Sequence, residues 1–192
     1  KDINRKMKLD IDIRYLNVSR YSMRVPEYAL LGDKCLDRIF IGGIDVTFRR
    51  IMKRAALTDA EIDSVAKECD AGKDPDRILN YQEVMSLKQK FIGNKKLMGF
   101  IRKHSEEAYP KAIGYLRQEG LLDDVNYALV DSGWVGTLQQ TIRHLTQKER
   151  IDGFYFGLYE IPKDENPGMY HGFYFDPLRG LDRKSYFSNC LF

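Results

Sequence analysis

The segment whose residue types and spacing are best suited to chemistry is Val130–Gln140, which reads VDSGWVGTLQQ. Asp131 ends a short apolar run typical of a β-strand, and the glycines Gly133 and Gly136 follow within five residues. Thr137 then opens a helical pattern. In open α/β sheets, ligands bind at the carboxyl ends of strands, where a helix N-terminus offers unpaired N–H groups and partial positive charge. The segment therefore predicts an anion site, with a phosphate or a sugar phosphate as ligand.

Each residue of this loop has a predicted role. The backbone N–H groups of Gly136 and Thr137 are expected to bind the phosphate. Asp131 is the candidate catalytic residue. Three roles stay open for it: a base, a ligand of sugar hydroxyls, or a ligand of a divalent metal such as Mg²⁺. Trp134 is expected to stack on a sugar or a base, with core packing as the alternative. Gln139 is a further polar contact if the first helical turn faces the ligand.

The same loop also has a purely structural interpretation. Thr137 and Gln140 have the spacing of a capping box, in which the threonine only closes its own helix. Gly133 and Gly136 would then serve a tight turn. The sequence alone leaves the structural and the functional interpretation open.

A second candidate region lies at the end of residues 11–19, whose β-branched and aromatic residues predict a strand. Ser19 is expected to cap a following turn, and Arg20 to lie at the carboxyl edge of the same sheet. A guanidinium there can bind phosphate bidentately. The alternative is a surface arginine near Asp131 or Glu27. The predicted substrate-binding residues are thus Ser19, Arg20, Gly133, Trp134, Gly136, Thr137 and Gln139.

The order of elements predicts the fold class. Strands are expected over 126–131, 153–159 and 170–176, with a helix over 137–148 between the first two. Strand, loop, helix and strand in that order are typical of a βαβ unit with parallel strands. Residues 1–192 are therefore predicted to form one α/β domain with a mainly parallel sheet and a helical insertion or cap at about 45–120.

Several helices are predicted within and around that insertion. One covers 45–57, and Thr58-Asp59-Ala60-Glu61 is a capping box that opens a helix to about Asp70. Further helices are expected over 81–91, 94–104 and 109–119. Pro110 would lie in the first turn of the last one, with Gly120 as its C-terminal cap.

The composition excludes several classes of protein. Of the 192 residues, 43% are hydrophobic, which suits a soluble globular domain rather than a disordered chain. The net charge of +3 is too low to indicate a nucleic-acid partner. No apolar run approaches the roughly 20 residues that span a bilayer. The three widely spaced cysteines favour a reducing compartment, so a cytoplasmic location is predicted.

Three segments carry a resemblance to a known family: Tyr15–Arg20 with the nearby Pro26, Val130–Gln139, and the closing Ser188–Phe192. They are similar to a bacterial family of predicted hydrolases of the haloacid-dehalogenase superfamily, whose members are linked or fused to glycosyltransferases of surface-polysaccharide synthesis. The resemblance implies binding, and turnover by a hydrolase or transferase, of a phosphorylated sugar or nucleotide-sugar in that synthesis.

The chain also departs from the family. Ser132 stands where the family usually has isoleucine, and the Asp-x-Asp formed by Asp10 and Asp12 precedes its predicted strand instead of ending it. The chain is therefore predicted to be a piece of a longer protein, downstream of the phosphatase core, with the other domains as partners. Two other functions stay open: a non-catalytic module that docks through strand 154–159, and a phosphoribosyltransferase-like transferase, although that family's acidic pair is absent.

Overall fold

A computed structural model of the chain describes residues 5–8, 10–69 and 73–178. Its strands are β1 (Ala128–Asp131), β2 (Asp152–Gly157) and β3 (Tyr170–Phe175). Two 3-10 turns occupy Gly32–Lys34 and Pro167–Met169. The helices are α1 (Arg20–Leu31), α2 (Cys35–Ile39), α3 (Phe48–Lys53), α4 (Asp59–Ala66), α5 (Tyr81–Phe91), α6 (Lys95–Gln118) and α7 (Thr137–Thr146).

The three strands form a parallel sheet in the order β1-β2-β3. In the register of this sheet, Asp131 lies opposite Tyr155, and Gly153 lies opposite Tyr170. Helix α7 connects β1 to β2, so the predicted βαβ unit and the α/β fold class are confirmed. The carboxyl end of β1 and the start of α7 therefore lie at one edge of the sheet, as the anion-site prediction requires.

The two faces of the sheet differ in their burial. Tyr155 and Tyr170 are buried with Leu158 and Met169 in a small core beneath the loop that follows β1. On the opposite face of the sheet, the side chain of Val130 is 85% exposed, that of Phe154 48% and that of Phe173 80%. Parallel sheets are normally covered on both faces, so these exposed apolar side chains are unusual for this sheet type.

The largest core belongs to the helices between residues 45 and 120, together with α1 and α2. Phe91 of α5 stacks near Phe40 and Phe48, with ring centroids 5.9 and 6.0 Å apart. A second core joins α1, α6 and α7 through Met23, Leu116 and Ile142. Helix α1 thus packs against both the helical region and the βαβ unit, and it holds the two parts together.

The helical predictions need three corrections. The helix expected over 45–57 is shorter, since α3 covers only Phe48–Lys53. The capping box of Thr58 and Glu61 is present, but its helix α4 ends at Ala66. Lys95–Gln118 form the single helix α6 with Pro110 inside it, instead of two helices over 94–104 and 109–119 with a proline in the first turn of the second. The reason is a continuous buried stripe along α6, consisting of Leu97, Ile101, Ser105, Ala112 and Leu116, whose burial offsets the hydrogen bond that proline removes.

The end of α6 is as predicted. Gly120 has φ +79°, and the N–H of Leu121 bonds the carbonyl of Leu116 at 2.9 Å, which closes the last turn. None of the helices in the described ranges combines the length and the hydropathy that crossing a lipid bilayer requires.

The prediction of a strand over residues 11–19 is wrong. This segment runs without a strand partner, although the N–H of Asn17 bonds the Tyr115 hydroxyl at 2.8 Å. Leu16 and Val18 pack on the core of α6 and α7, while Tyr15 is 84% exposed. A strand needs a neighbouring strand for its backbone hydrogen bonds, and the side-chain pattern of this segment cannot supply one.

The capping carboxylate Glu61 predicts a pH-dependent stability. Burial would raise the pKa of Glu61, but hydrogen bonds from Thr58 and His104 outweigh it and lower that pKa to about 2. The distance from His104 Nε2 to Glu61 Oε2 is 2.7 Å. Because the folded pKa is lowered, the ionised carboxylate stabilises the fold above its unfolded value of about 4.3, and this stabilisation is lost as the pH falls towards 2.

We therefore expect Glu61→Gln to lower the free energy of unfolding by about 1–3 kcal/mol at pH 7 and by much less at pH 2.5. Urea denaturation at both pH values measures the difference from the wild type. Glu106→Gln, on an exposed part of α6, is the matched control and should follow the wild type. An equal loss at both pH values would contradict the assignment.

Candidate functional site

The loop between β1 and α7 is held tightly against the sheet. The N–H of Tyr159 bonds the carbonyl of Trp134 at 2.8 Å, and Val135 forms a parallel bridge with Glu160. Gly133 has φ +125°, and a Cβ there would lie 2.1 Å from the carbonyl oxygen of Gly157. Only glycine can occupy that position. The loop conformation is therefore fixed by its backbone contacts with the segment that follows β2.

Asp131 lies at the carboxyl end of β1, half-buried, as the sequence predicted. Its Oδ1 accepts hydrogen bonds from the Ser132 hydroxyl at 3.3 Å and from the Gly133 N–H at 3.5 Å. A carboxylate has about four acceptor positions, so these two long bonds leave capacity for the hydroxyls of a ligand. Within the described ranges, no group of three or more His, Cys, Asp or Glu side chains is arranged to hold a metal ion.

Trp134 packs within the protein. Its ring lies 5.2 Å from the Tyr159 ring and 5.8 Å from the Phe175 ring, with an interplanar angle of 8° for the second pair. These stacked contacts correspond to the packing alternative for Trp134. The indole therefore helps to attach the loop to β3.

The start of α7 differs from the predicted capping box. Gly136 is the N-cap and provides no side-chain hydrogen bond, while the Thr137 hydroxyl donates to the Val135 carbonyl at 3.4 Å. The capping-box prediction for Thr137 and Gln140 is wrong, because Gln140 faces α2 and the loop before β3 instead. The first-turn N–H groups of α7 therefore have no side-chain cap, and this turn contains no acidic residue. The N–H of Thr137, predicted to bind the phosphate, instead donates to the Val135 carbonyl at 2.6 Å.

Gln139 faces the core rather than a ligand. Its Nε2 donates to the carbonyls of Ile151 and Met169 at 2.8 and 3.0 Å, and its Oε1 accepts from the Tyr155 hydroxyl at 2.5 Å. Gln139 is 1% exposed. The prediction of Gln139 as a ligand contact is wrong, since its side chain is fully used in joining α7 to β2 and to the segment before β3.

Ser19 and Arg20 lie in a different element from the predicted one. They begin helix α1 rather than end a strand, and Ser19 forms a capping box with Ser22. Arg20 is one turn before Arg24 on α1, and Arg24 Nη2 donates to the Thr137 hydroxyl at 3.3 Å. The charge of Arg20 acts on Arg24. Arg20 is therefore an exposed residue one helical turn before the arginine that contacts α7, while Ser19 serves as a helix cap.

Two arginines that the sequence did not single out contact the first turn of α7. Arg24 bonds Thr137, and Arg38 Nη2 donates to Gln140 Oε1. Burial lowers the pKa of Arg24, and the positive charges of Arg38 and Arg20 lower it further, against the opposing effects of Tyr28 and Glu27. We call Arg20, Arg24 and Arg38 the arginine cluster.

A buried carboxylate completes this contact between α1 and α7. Glu27 Oε2 accepts from the Thr141 hydroxyl at 2.8 Å, and Glu27 Oε1 lies 2.7 Å from His144 Nδ1. The same Oε1 is 3.7 Å from Arg38 Nη2. We call this row of contacts the polar seam, formed by Arg24, Glu27 and Arg38 on one side and by Thr137, Gln140, Thr141 and His144 on α7.

A sequence pattern does accompany the polar seam. Thr137, Gln140, Thr141 and His144 recur at helical spacing on α7, and Arg20, Arg24 and Glu27 do so on α1. Polar residues on the inward stripe of two helices indicate a buried polar interface. The spacing alone does not say which helices meet, so the seam was visible only in the folded chain.

A second ion pair extends the seam towards β3. Glu165, 9% exposed, binds Arg143 through bonds of 2.6 and 3.2 Å and accepts from the Tyr170 hydroxyl at 3.0 Å. His144 Nε2 is 4.0 Å from Glu165 Oε1. His144 thus lies between two buried carboxylates, which explains its position without a contact to the loop after β1.

Two surface cavities of the described chain lie away from this loop. One of about 370 Å³ is lined by Lys73, Arg77, Glu83 and Lys90 among others. The other, of about 240 Å³, lies between α1 and α6 beside His104. Neither includes residues of the arginine cluster.

Comparisons of the chain with known proteins found no matching family model, no matching curated protein and no matching solved structure. The resemblance to the haloacid-dehalogenase superfamily stays a prediction. The function is therefore inferred from the geometry and charge of the site.

The contact between Gly136 and Tyr170 generates a test of how tightly the loop is packed. A Cβ on Gly136 would lie 2.2 Å from Tyr170 Cε1, and the Tyr170 ring is buried. We expect Gly136→Ala to lower the free energy of unfolding by about 1–3 kcal/mol through overpacking, as measured by urea denaturation.

The matched control is Gly114→Ala, because a Cβ at this helical glycine meets no atom within 4 Å. That variant should gain up to about 1 kcal/mol from helix propensity. Equal effects of the two substitutions would show that the Gly136 contact does not constrain the loop.

Proposed function

We propose that the chain binds a phosphorylated sugar or nucleotide-sugar through its phosphate, at the first turn of α7 beside the arginine cluster. The observation that carries this proposal is that Arg24 and Arg38 both donate to side chains in the first turn of α7, Arg24 to the Thr137 hydroxyl and Arg38 to the Gln140 amide oxygen. The start of a helix already has partial positive charge, so two guanidinium groups there repel it and each other. A bound anion would remove this repulsion.

The bonding state of Arg24 supports the same ligand class. Among the described residues, the buried Nε of Arg24 has no hydrogen-bond partner. No described carboxylate lies within 4.0 Å of the Arg24 guanidinium either. Guanidinium groups bind phosphate through two parallel N–H bonds. Phosphate oxygens near Thr137 would supply acceptors to Arg24 and to the first-turn N–H groups of α7 that follow Thr137.

Asp131 supports the sugar part of the proposal. It lies on the loop that leads into α7, and its carboxylate has spare acceptor positions for sugar hydroxyls. Asp131 would also be the catalytic residue in a hydrolase or transferase reaction. The setting in surface-polysaccharide synthesis rests on the resemblance to the haloacid-dehalogenase superfamily. A phosphoribosyltransferase-like reaction would use the same phosphate site.

Calorimetric titration with inorganic phosphate and with glucose 1-phosphate tests this proposal. We expect Arg24→Gln to weaken the binding of both ligands by at least tenfold, because it removes a charged donor. Arg20→Ala should weaken both less strongly, since Arg20 is exposed. Asp131→Asn should leave phosphate affinity unchanged and weaken glucose 1-phosphate by several-fold.

Arg102→Ala is the matched control, because Arg102 is an exposed arginine of α6. It should bind both ligands as the wild type does. The site assignment is wrong if Asp131→Asn, Arg20→Ala and Arg24→Gln all leave the affinity for glucose 1-phosphate unchanged.

A second candidate function is an interaction module without chemistry of its own. The exposed apolar face of the sheet, formed by Val130, Phe154 and Phe173, favours it, since large exposed apolar patches often mark protein contacts. The partner would be a catalytic domain of a longer parent chain, seated on this face.

In that case, an upstream domain of the parent chain, prepared as a separate polypeptide, should bind the wild type in calorimetry. Phe173→Asp should weaken this binding at least tenfold, because it places a charge in an apolar contact. Tyr81→Asp, at a 68% exposed position on α5, is the control. Unchanged binding of the Phe173 variant would rule out this face as the interface.

A further inference from the structure

Glu27 is the most deeply buried charged group beside the proposed phosphate site. Its side chain has no exposed surface, and its two oxygens are bonded by Thr141 and His144. Removal of a carboxylate from water is costly unless nearby charges and donors compensate. The compensating positive charge nearest to Glu27 within the arginine cluster is that of Arg38.

The spacing of charged residues along α1 explains this arrangement. Arg20, Arg24 and Glu27 follow one another at helical spacing on α1, so they share the face that meets α7. Glu27 Oε1 is 3.7 Å from Arg38 Nη2, and the negative charge of Glu27 also acts on Arg24. Among the described residues, Glu27 is the only carboxylate within 4.0 Å of an arginine of the cluster.

We propose that Glu27 is the built-in counter-anion of the arginine cluster, and that its charge sets both the affinity of the site and its discrimination between monoanionic and dianionic ligands. The proposal rests on the proposed function, since it concerns the same phosphate site. Glu27 does not touch the ligand and acts only through its charge and its contacts with Arg38, Thr141 and His144.

The expected effect follows from Coulomb's law. A bound anion shares the arginines with Glu27 and is repelled by it. Removal of the Glu27 charge from beside the arginine cluster should therefore strengthen the binding of a monoanion by about threefold at low salt. For a dianion the interaction energy doubles, so the gain becomes about tenfold. A residue that only stabilises the fold would give weaker binding, or equal changes for both ligands.

Glu27→Gln tests the proposal, because it keeps the size of the side chain and removes its charge. Methyl phosphate and dimethyl phosphate are the probes, since they are a dianion and a monoanion of similar shape at pH 8. Titration calorimetry at low salt should show a gain of about tenfold for methyl phosphate and about threefold for dimethyl phosphate. The gains should shrink at high salt.

Glu165→Gln is the matched control. Glu165 is also a buried carboxylate and lies in the loop before β3, but its hydrogen-bond partners are Arg143 and Tyr170 rather than the arginine cluster. This variant should change neither affinity by more than twofold. If Glu27→Gln is unfolded in buffer, the methyl phosphate concentration that refolds it, followed by circular dichroism, gives the affinity through linkage.

The outcomes separate this inference from the proposed function. Failure of the wild type to bind either probe overturns the proposed function and with it the role of Glu27. Wild-type binding with unchanged, weakened or equally altered affinities in Glu27→Gln overturns only the counter-anion role. A Glu27→Gln protein that methyl phosphate does not refold likewise overturns it.

Discussion

The contact between Glu27 and α7 is the interaction on which the rest of the structure depends. Helix α1 joins the helical region to the βαβ unit, and its inward face meets α7 through hydrogen bonds and ion pairs as well as apolar packing. A carboxylate with no exposed surface is tolerated there only because Thr141, His144 and Arg38 surround it. Bonds of this kind have strict geometry, so they fix the rotation of α1 relative to α7 more narrowly than apolar contacts would.

The fixed position of α1 has a direct effect on the sheet edge. Helix α1 brings Arg24 to Thr137, although the two residues are 113 positions apart in the chain. Without that alignment, the start of α7 would be an ordinary uncapped helix end. With it, the glycine loop, an uncapped helical turn and several guanidinium groups share one small region of the surface. The loop glycines are explained by packing alone, so it is the arginines that indicate a ligand.

Local patterns predicted much of the fold. The three strands, the helix after Gly136 and the capping box at Thr58 are encoded by residues near one another in sequence. All are present, although the strands cover Ala128–Asp131, Asp152–Gly157 and Tyr170–Phe175 rather than 126–131, 153–159 and 170–176. Residues 11–19 have the composition of a strand, yet a strand depends on a partner elsewhere in the chain. The roles of Gln139, Arg24 and Arg38 likewise depend on which distant element packs against them. Asp131 and Thr137 could be placed because a strand and the helix after it fix their positions locally.

The contact of Gly136 with Tyr170 also has a consequence for how this sequence can change over time. The two residues fill one space, and each is acceptable only while the other keeps its present size. A larger residue at 136 would need a smaller one at 170, and the loss of the Tyr170 hydroxyl would leave Glu165 with one donor fewer. In relatives of this chain, positions 136, 165 and 170 should therefore vary together. Such covariation would record the physical link between the start of α7 and the third strand.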